Sequence, residues 1–130
     1  MNCPKCNAPM EPITVDQYTV DRCAACSGLW FDLGEHEHIA HSKSDTKNLD
    51  TGDPARGRQQ DQKRAIACPF CHVKMLNLSV PGQPHIHYES CPVCYGAYFD
   101  AGEFKDYATY SIPEQIRTFF RGFQRRQSKP

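Results

Sequence analysis

No stretch of the chain approaches the length of an apolar membrane span, and the opening MNCPKCNAPM lacks the charged and apolar regions of a secretory leader. The expectation is a cytoplasmic protein. Apolar residues are also scarce: they make up 39% of 130 residues, with a mean hydropathy of -0.65, which argues against one large core. Net charge is zero, so bulk electrostatics selects no partner. The sequence carries no Ser-His-Asp set and no phosphate-binding loop, and the expectation is a non-enzymatic protein. What it does have is eight cysteines. Units below ~40 residues generally need disulfides, metal or association to stay folded. In a reducing compartment disulfides rarely persist, so paired cysteines read as metal ligands or redox centres.

The cysteines fall at 3, 6, 23 and 26 and again at 68, 71, 91 and 94. Each half reads CPxC, a gap of 16 or 19 residues, then CxxCxG. Aligning the pairs sets Met10 opposite Met75, Gly28 opposite Gly96 and Trp30 opposite Tyr98; Phe31, Asp32, Gly34 and Glu35 fall opposite Phe99, Asp100, Gly102 and Glu103. The chain is a duplicated unit. Within each copy, short β-prone runs flank turn residues, PITV and YTV around Asp16, MLNLSV and HIHYES around PGQP. Each copy is therefore expected to be a β-hairpin with a cysteine pair at either end. The longer gap in the second copy then lies at a loop tip.

After the second cysteine pair of each copy comes an apolar-aromatic stretch and then Asp-x-Gly-Glu. Asp three residues before Glu is a capping-box spacing, which assigns Asp32 with Glu35 and Asp100 with Glu103 to the starts of short helices at about 33 to 41 and 101 to 109. Between the copies, HSKSDTKNLDTGDPARGRQQDQKRA has Leu49 and little else to bury. Composition reads it as a flexible polar linker, with a short helix possible in RQQDQKRA.

Zinc prefers tetrahedral thiolate or imidazole ligands, and two CxxC pairs joined by a hairpin bring four sulfurs to one point. Cys3, Cys6, Cys23 and Cys26 form one expected set, and Cys68, Cys71, Cys91 and Cys94 the other. Two zinc ions per chain follow. Four thiolates leave no open coordination position, so the expected role of the metal is structural. Iron in a rubredoxin-like arrangement is the less favoured metal. A thioredoxin-like dithiol belongs at a helix start in a βαβ context that neither copy offers, which leaves a zinc-thiolate redox sensor as the weaker alternative. Gly28 and Gly96 are expected to supply a positive φ to the knuckles. The histidines, His36, His38 and His41 among them, are read as solvent-exposed, because the positions equivalent to His38 and His41 are Asp106 and Thr109.

The pattern CPxC, a methionine four residues on, then CxxCxGxWFDxGE resembles the bacterial transcription factor zinc-finger family, the transcription factor IIB-type zinc-binding domains. Cys3, Pro4, Cys6, Met10, Cys23, Cys26, Gly28, Leu29, Trp30, Phe31, Asp32, Gly34 and Glu35 carry the resemblance. The second copy carries it at Cys68, Pro69, Cys71, Met75, Cys91, Pro92, Cys94, Gly96, Phe99, Asp100, Gly102 and Glu103 and departs from it at Tyr98 and Phe104. The resemblance implies two tandem zinc ribbons. Together with the residue pattern it gives a small α+β fold: a first ribbon at 1-41, a linker at 42-65, a second ribbon at 66-110 and an amphipathic basic helix at 111-130.

Charge is distributed unevenly. Residues 1 to 41 carry two basic and six acidic side chains and residues 65 to 110 two and four, whereas 111 to 130 carry five and one. Four thiolates around a zinc add a formal charge of about -2 to each ribbon. Acidic ribbons are poor readers of phosphate backbones. In SIPEQIRTFFRGFQRRQ, helical periodicity sets Ile112, Ile116, Phe119, Phe120 and Phe123 on one side and Arg117, Arg121 and Arg125 on the other. That face is expected to pack on the second ribbon or against a second copy of the chain, or to meet a protein partner. An anionic membrane surface and nucleic acid are the competing partners for the basic side.

Overall fold

The computed structural model describes residues 1–41, 48–60, 65–80 and 83–109. The segment 111–130, with Ile116, Arg117, Phe119, Phe120, Arg121, Phe123 and Arg125, lies outside the described residues.

The first copy forms β1 (Met10–Val15), β2 (Tyr18–Cys23), β3 (Leu29–Phe31) and α1 (Glu35–His41). The second forms β4 (Leu76–Val80), β5 (Gln83–Ser90), β6 (Ala97–Phe99) and α3 (Glu103–Thr109), and α2 (Pro54–Gln60) lies between the copies. Both expected hairpins are present. The first closes with a two-residue turn, Val15 pairing with Tyr18 and Asp16 at φ 53°, a left-handed conformation that aspartate tolerates. Both expected helices are present too, each starting two residues later than the sequence places it.

The third strand of each copy joins the two halves. Their strands form one six-stranded antiparallel sheet in the order β1-β2-β3-β6-β5-β4. Across the central seam Leu29 pairs with Phe99, Trp30 with Tyr98 and Phe31 with Ala97. Trp30 therefore faces its own repeat equivalent, and the other two pairs exchange under the same operation. The duplicated sequence has folded about an internal two-fold axis, in the way two copies of one chain form an isologous dimer.

Side chains alternate across this seam. On one face Leu29, Phe31, Ala97 and Phe99 join Ile39, Leu49, Ile86, Tyr88, Phe104 and Tyr107 in a core drawn from both copies. Phe31 lies 4.5 Å from Phe104 between ring centroids, and Tyr88 stacks 4.8 Å from Phe99. On the other face Trp30 and Tyr98 pack among the cysteines, with Ile66 and Met75. All six seam residues are buried.

Residues 48–60, which composition alone reads as linker, pack against both copies. Leu49 and Asp50 are fully buried, Arg22 of the first copy donates to the carbonyls of Asn48 and Leu49, and Asp50 accepts from the amides of Gly102 and Lys105 at 2.9 and 2.8 Å. Asp53 caps α2 by accepting from the Ala55 amide at 2.9 Å. The polar composition reflects how this segment is held. It docks largely by hydrogen bonds and therefore shows no apolar period.

Two candidate metal centres

Each centre is built from two knuckles of one design. In all four, the residue after the second cysteine donates its amide to the first cysteine's carbonyl: Asn7 to Cys3, Ser27 to Cys23, His72 to Cys68 and Tyr95 to Cys91, at 2.9 to 3.1 Å. These residues hold the positive φ, 61 to 63°, so the left-handed turn falls one position before Gly28 and Gly96. This corrects the expected role of the glycines. A Cβ at Gly28 would collide with the Tyr98 ring, and one at Gly96 with the Trp30 ring. Each glycine admits the seam aromatic of the opposite copy.

The reverse bonds close the knuckles, with Cys3, Cys23, Cys68 and Cys91 amides donating to Ala8, Gly28, Val73 and Gly96 carbonyls. Inside the turns, amides point at sulfur. Ala25 and Cys26 donate to Cys23 Sγ, Phe70 and Cys71 to Cys68 Sγ, and Val93 and Cys94 to Cys91 Sγ, at 3.3 to 3.4 Å. Such donors stabilise a thiolate over a thiol.

The eight cysteines gather as two sets, Cys3, Cys6, Cys23 and Cys26 in one and Cys68, Cys71, Cys91 and Cys94 in the other, with the sulfurs of each set within 4.8 Å of one another. A zinc at ~2.3 Å from four sulfurs requires tetrahedral edges of ~3.8 Å. Cys3 and Cys26 sulfurs are 3.8 Å apart, Cys6 and Cys23 3.3 Å, and Cys68 and Cys94 3.7 Å. The donor sets fit zinc. When bound, each ion would cross-link the two knuckles of its own centre, which are otherwise held by a few hydrogen bonds.

The copies also exchange polar contacts near the centres. Lys5, inside the first knuckle, is buried with its ammonium 2.8 Å from Glu89 and 2.7 Å from Asp100 of the second copy, and it donates to the Gln60 carbonyl at 3.0 Å. Burial opposes its charge, but the two carboxylates outweigh burial and hold its pKa above the ordinary lysine value. Tyr98 Oη lies 3.2 Å from Cys3 Sγ and 3.4 Å from Cys26 Sγ. Proton sharing with Cys3 lowers the Cys26 pKa, against burial and with help from the Tyr98 hydroxyl and the Gly28 amide.

Half of the expected capping box forms in the first copy: the Asp32 amide donates to Glu35 Oε1 at 2.9 Å, while the Glu35 amide donates to the Asp32 backbone carbonyl and Asp32 Oδ1 accepts from the Trp30 indole. In the second copy Asp100 takes the Lys5 ammonium and Glu103 accepts from the His87 amide at 3.3 Å. His36 departs from the expected exposure. It is buried against Phe31, Tyr88, Phe99 and Tyr107. Its repeat equivalent is Phe104, a core residue, and the alignment of copies was the signal for it. His38 and His85 are exposed.

Four-cysteine centres on hairpin knuckles, each hairpin extended by a third strand, have the architecture of a zinc ribbon. Residues 2–42 match the family model described as transcription factor zinc-finger, a TFIIB-type zinc ribbon. The second four-cysteine set is consistent with a second copy of that unit. No curated protein and no solved structure matches the chain. No helix among the described residues is long and apolar enough to cross a membrane.

Proposed function

We propose that the chain is a non-enzymatic, cytoplasmic interaction module, an adaptor whose zinc ions are structural. The observation that carries this reading is the saturation of both centres: all eight sulfurs are gathered four and four, which leaves a bound zinc no position for substrate. By sequence each copy carries an excess of acidic over basic side chains, while the Phe-rich, Arg-faced segment 111–130 follows the second copy. Apolar side chains at knuckle tips, Phe70 and Val93, are exposed. These features suit a protein partner better than phosphate.

Affinity capture from native cells, with the whole chain and with a chain lacking residues 111–130, tests the proposal. The expected result is a specific protein partner retained by the first and lost by the second. Equal capture by both would remove the segment from the mechanism. The five basic and single acidic side chains of residues 111–130 favour a second reading, nucleic-acid binding through Arg117, Arg121 and Arg125. That reading requires binding that falls steeply with salt and disappears when the three arginines are replaced. No binding at low salt would end it.

A further inference from the structure

The two centres are related by the internal two-fold, but their surroundings are not identical, and Lys5 in the first has Phe70 as its counterpart in the second. The surroundings also differ at the axis, where Trp30 faces Tyr98. Tyr98 crosses Gly28 and brings its hydroxyl to the Cys3 and Cys26 sulfurs at 3.2 and 3.4 Å. Trp30 crosses Gly96 toward the other centre, but its indole N–H turns back to Asp32 Oδ1 at 3.3 Å. Among the described residues, the second set of sulfurs is bonded only by knuckle amides and one another. Enclosure differs in the same sense: Cys3, Cys23 and Cys26 are buried and Cys6 half-buried, whereas Cys71 and Cys94 are both half-buried.

We infer that the second centre, Cys68, Cys71, Cys91 and Cys94, is a thiolate-reactive zinc site for soft electrophiles, and that Tyr98 keeps the first centre inert. A hydroxyl proton donated to a zinc-bound sulfur withdraws charge from the lone pair that would attack. The single proton serves Cys3 or Cys26 at any moment. At the second centre no side-chain hydroxyl among the described residues restrains the nucleophile, and two of its cysteines are half-buried where the first centre has one.

The chemistry can be written for N-ethylmaleimide. The thiolate of Cys71 or Cys94 would add to the alkene carbon, the C=C π bond would break, and solvent would protonate the neighbouring carbon. The sulfur would become a thioether, a poor ligand for the zinc that the four cysteines would hold. No oxidant is involved. Since a hydrogen bond to a charged group is worth about 1.5–3 kcal/mol, one such bond at the first centre slows its reaction about tenfold or more.

The inference rests on both centres holding zinc, so the test begins with the protein loaded with two zinc ions. Treatment with limiting N-ethylmaleimide is followed by native mass spectrometry, which counts metal and adducts, and by peptide mapping. The first adducts should fall on Cys71 and Cys94 and accompany loss of one zinc, with the first centre reacting about tenfold more slowly. Tyr98→Phe should raise the first centre's rate about tenfold and leave the second unchanged. Equal rates, or earliest labelling at Cys6 or Cys26, would overturn the inequality. An unchanged first-centre rate in Y98F, or failure of that variant to load two zinc ions, would overturn the role given to Tyr98. Failure of the unaltered protein to bind zinc would instead sink the metal reading itself.

Discussion

At the scale of single residues, the contacts between copies are specific enough to predict. Adding one methyl at Gly96 drives it into the Trp30 ring, and at Gly28 into the Tyr98 ring. Gly96→Ala and Gly28→Ala should each cost about 1–3 kcal/mol in denaturant unfolding of the zinc-loaded protein. A loss below a few tenths would show that the rings can move aside. Lys5 is a second case, because Lys5→Met leaves Glu89 and Asp100 buried without their cation. That should cost about 3–5 kcal/mol, and K5M/E89Q/D100N should regain part of it. His36 gives a pH dependence. Burial, then the His38 charge, lower its pKa from 6.5 to about 3, so the unfolded chain binds its proton first as pH falls. Stability from this group is fully present above the unfolded value and declines through the window down to about 3, by about 1.4 kcal/mol per pH unit. The unfolding curves of wild type and His36→Phe should diverge there; parallel curves would count against a buried neutral imidazole.

At the scale of elements, hairpins, knuckles and helix starts were legible because each has a local cause. Turn residues, CxxC spacing and Asp-x-x-Glu act within a few positions of themselves. Leu29–Phe31 and Ala97–Phe99 were legible as apolar-aromatic stretches but not as strands, since three residues show no period and pairing across the seam is a long-range choice. The segment before the second copy was hidden for a related reason. Asp50 caps α3 from 52 residues away, through the Gly102 and Lys105 amides. Asp50→Ala should destabilise by about 1–3 kcal/mol, with faster amide exchange concentrated in Glu103–Thr109. Unchanged exchange in α3 would remove Asp50 from its support.

At the scale of the molecule, two ribbons that spacing reads as beads on a linker share a sheet and a core. Unpaired, β3 would expose a strand edge and three side chains that are at most 1% accessible in the whole chain. The seam register maps onto itself under the two-fold, so a fragment of residues 1–41 can replace β6 with a second β3. Zinc-loaded 1–41 should therefore sediment as a dimer, and a stable monomer would show that the ribbon does not need its partner. Which surface then meets another molecule was not legible, because binding faces leave no spacing rule comparable to CxxC.

The central claim is that eight cysteines form two four-sulfur zinc centres. Native mass spectrometry of the intact chain and of Cys26→Ser and Cys94→Ser tests it most directly. The account predicts two zinc ions on the unaltered chain, with each variant weakened at its own centre alone. One zinc per chain, or loss of both metals from either variant, would contradict it.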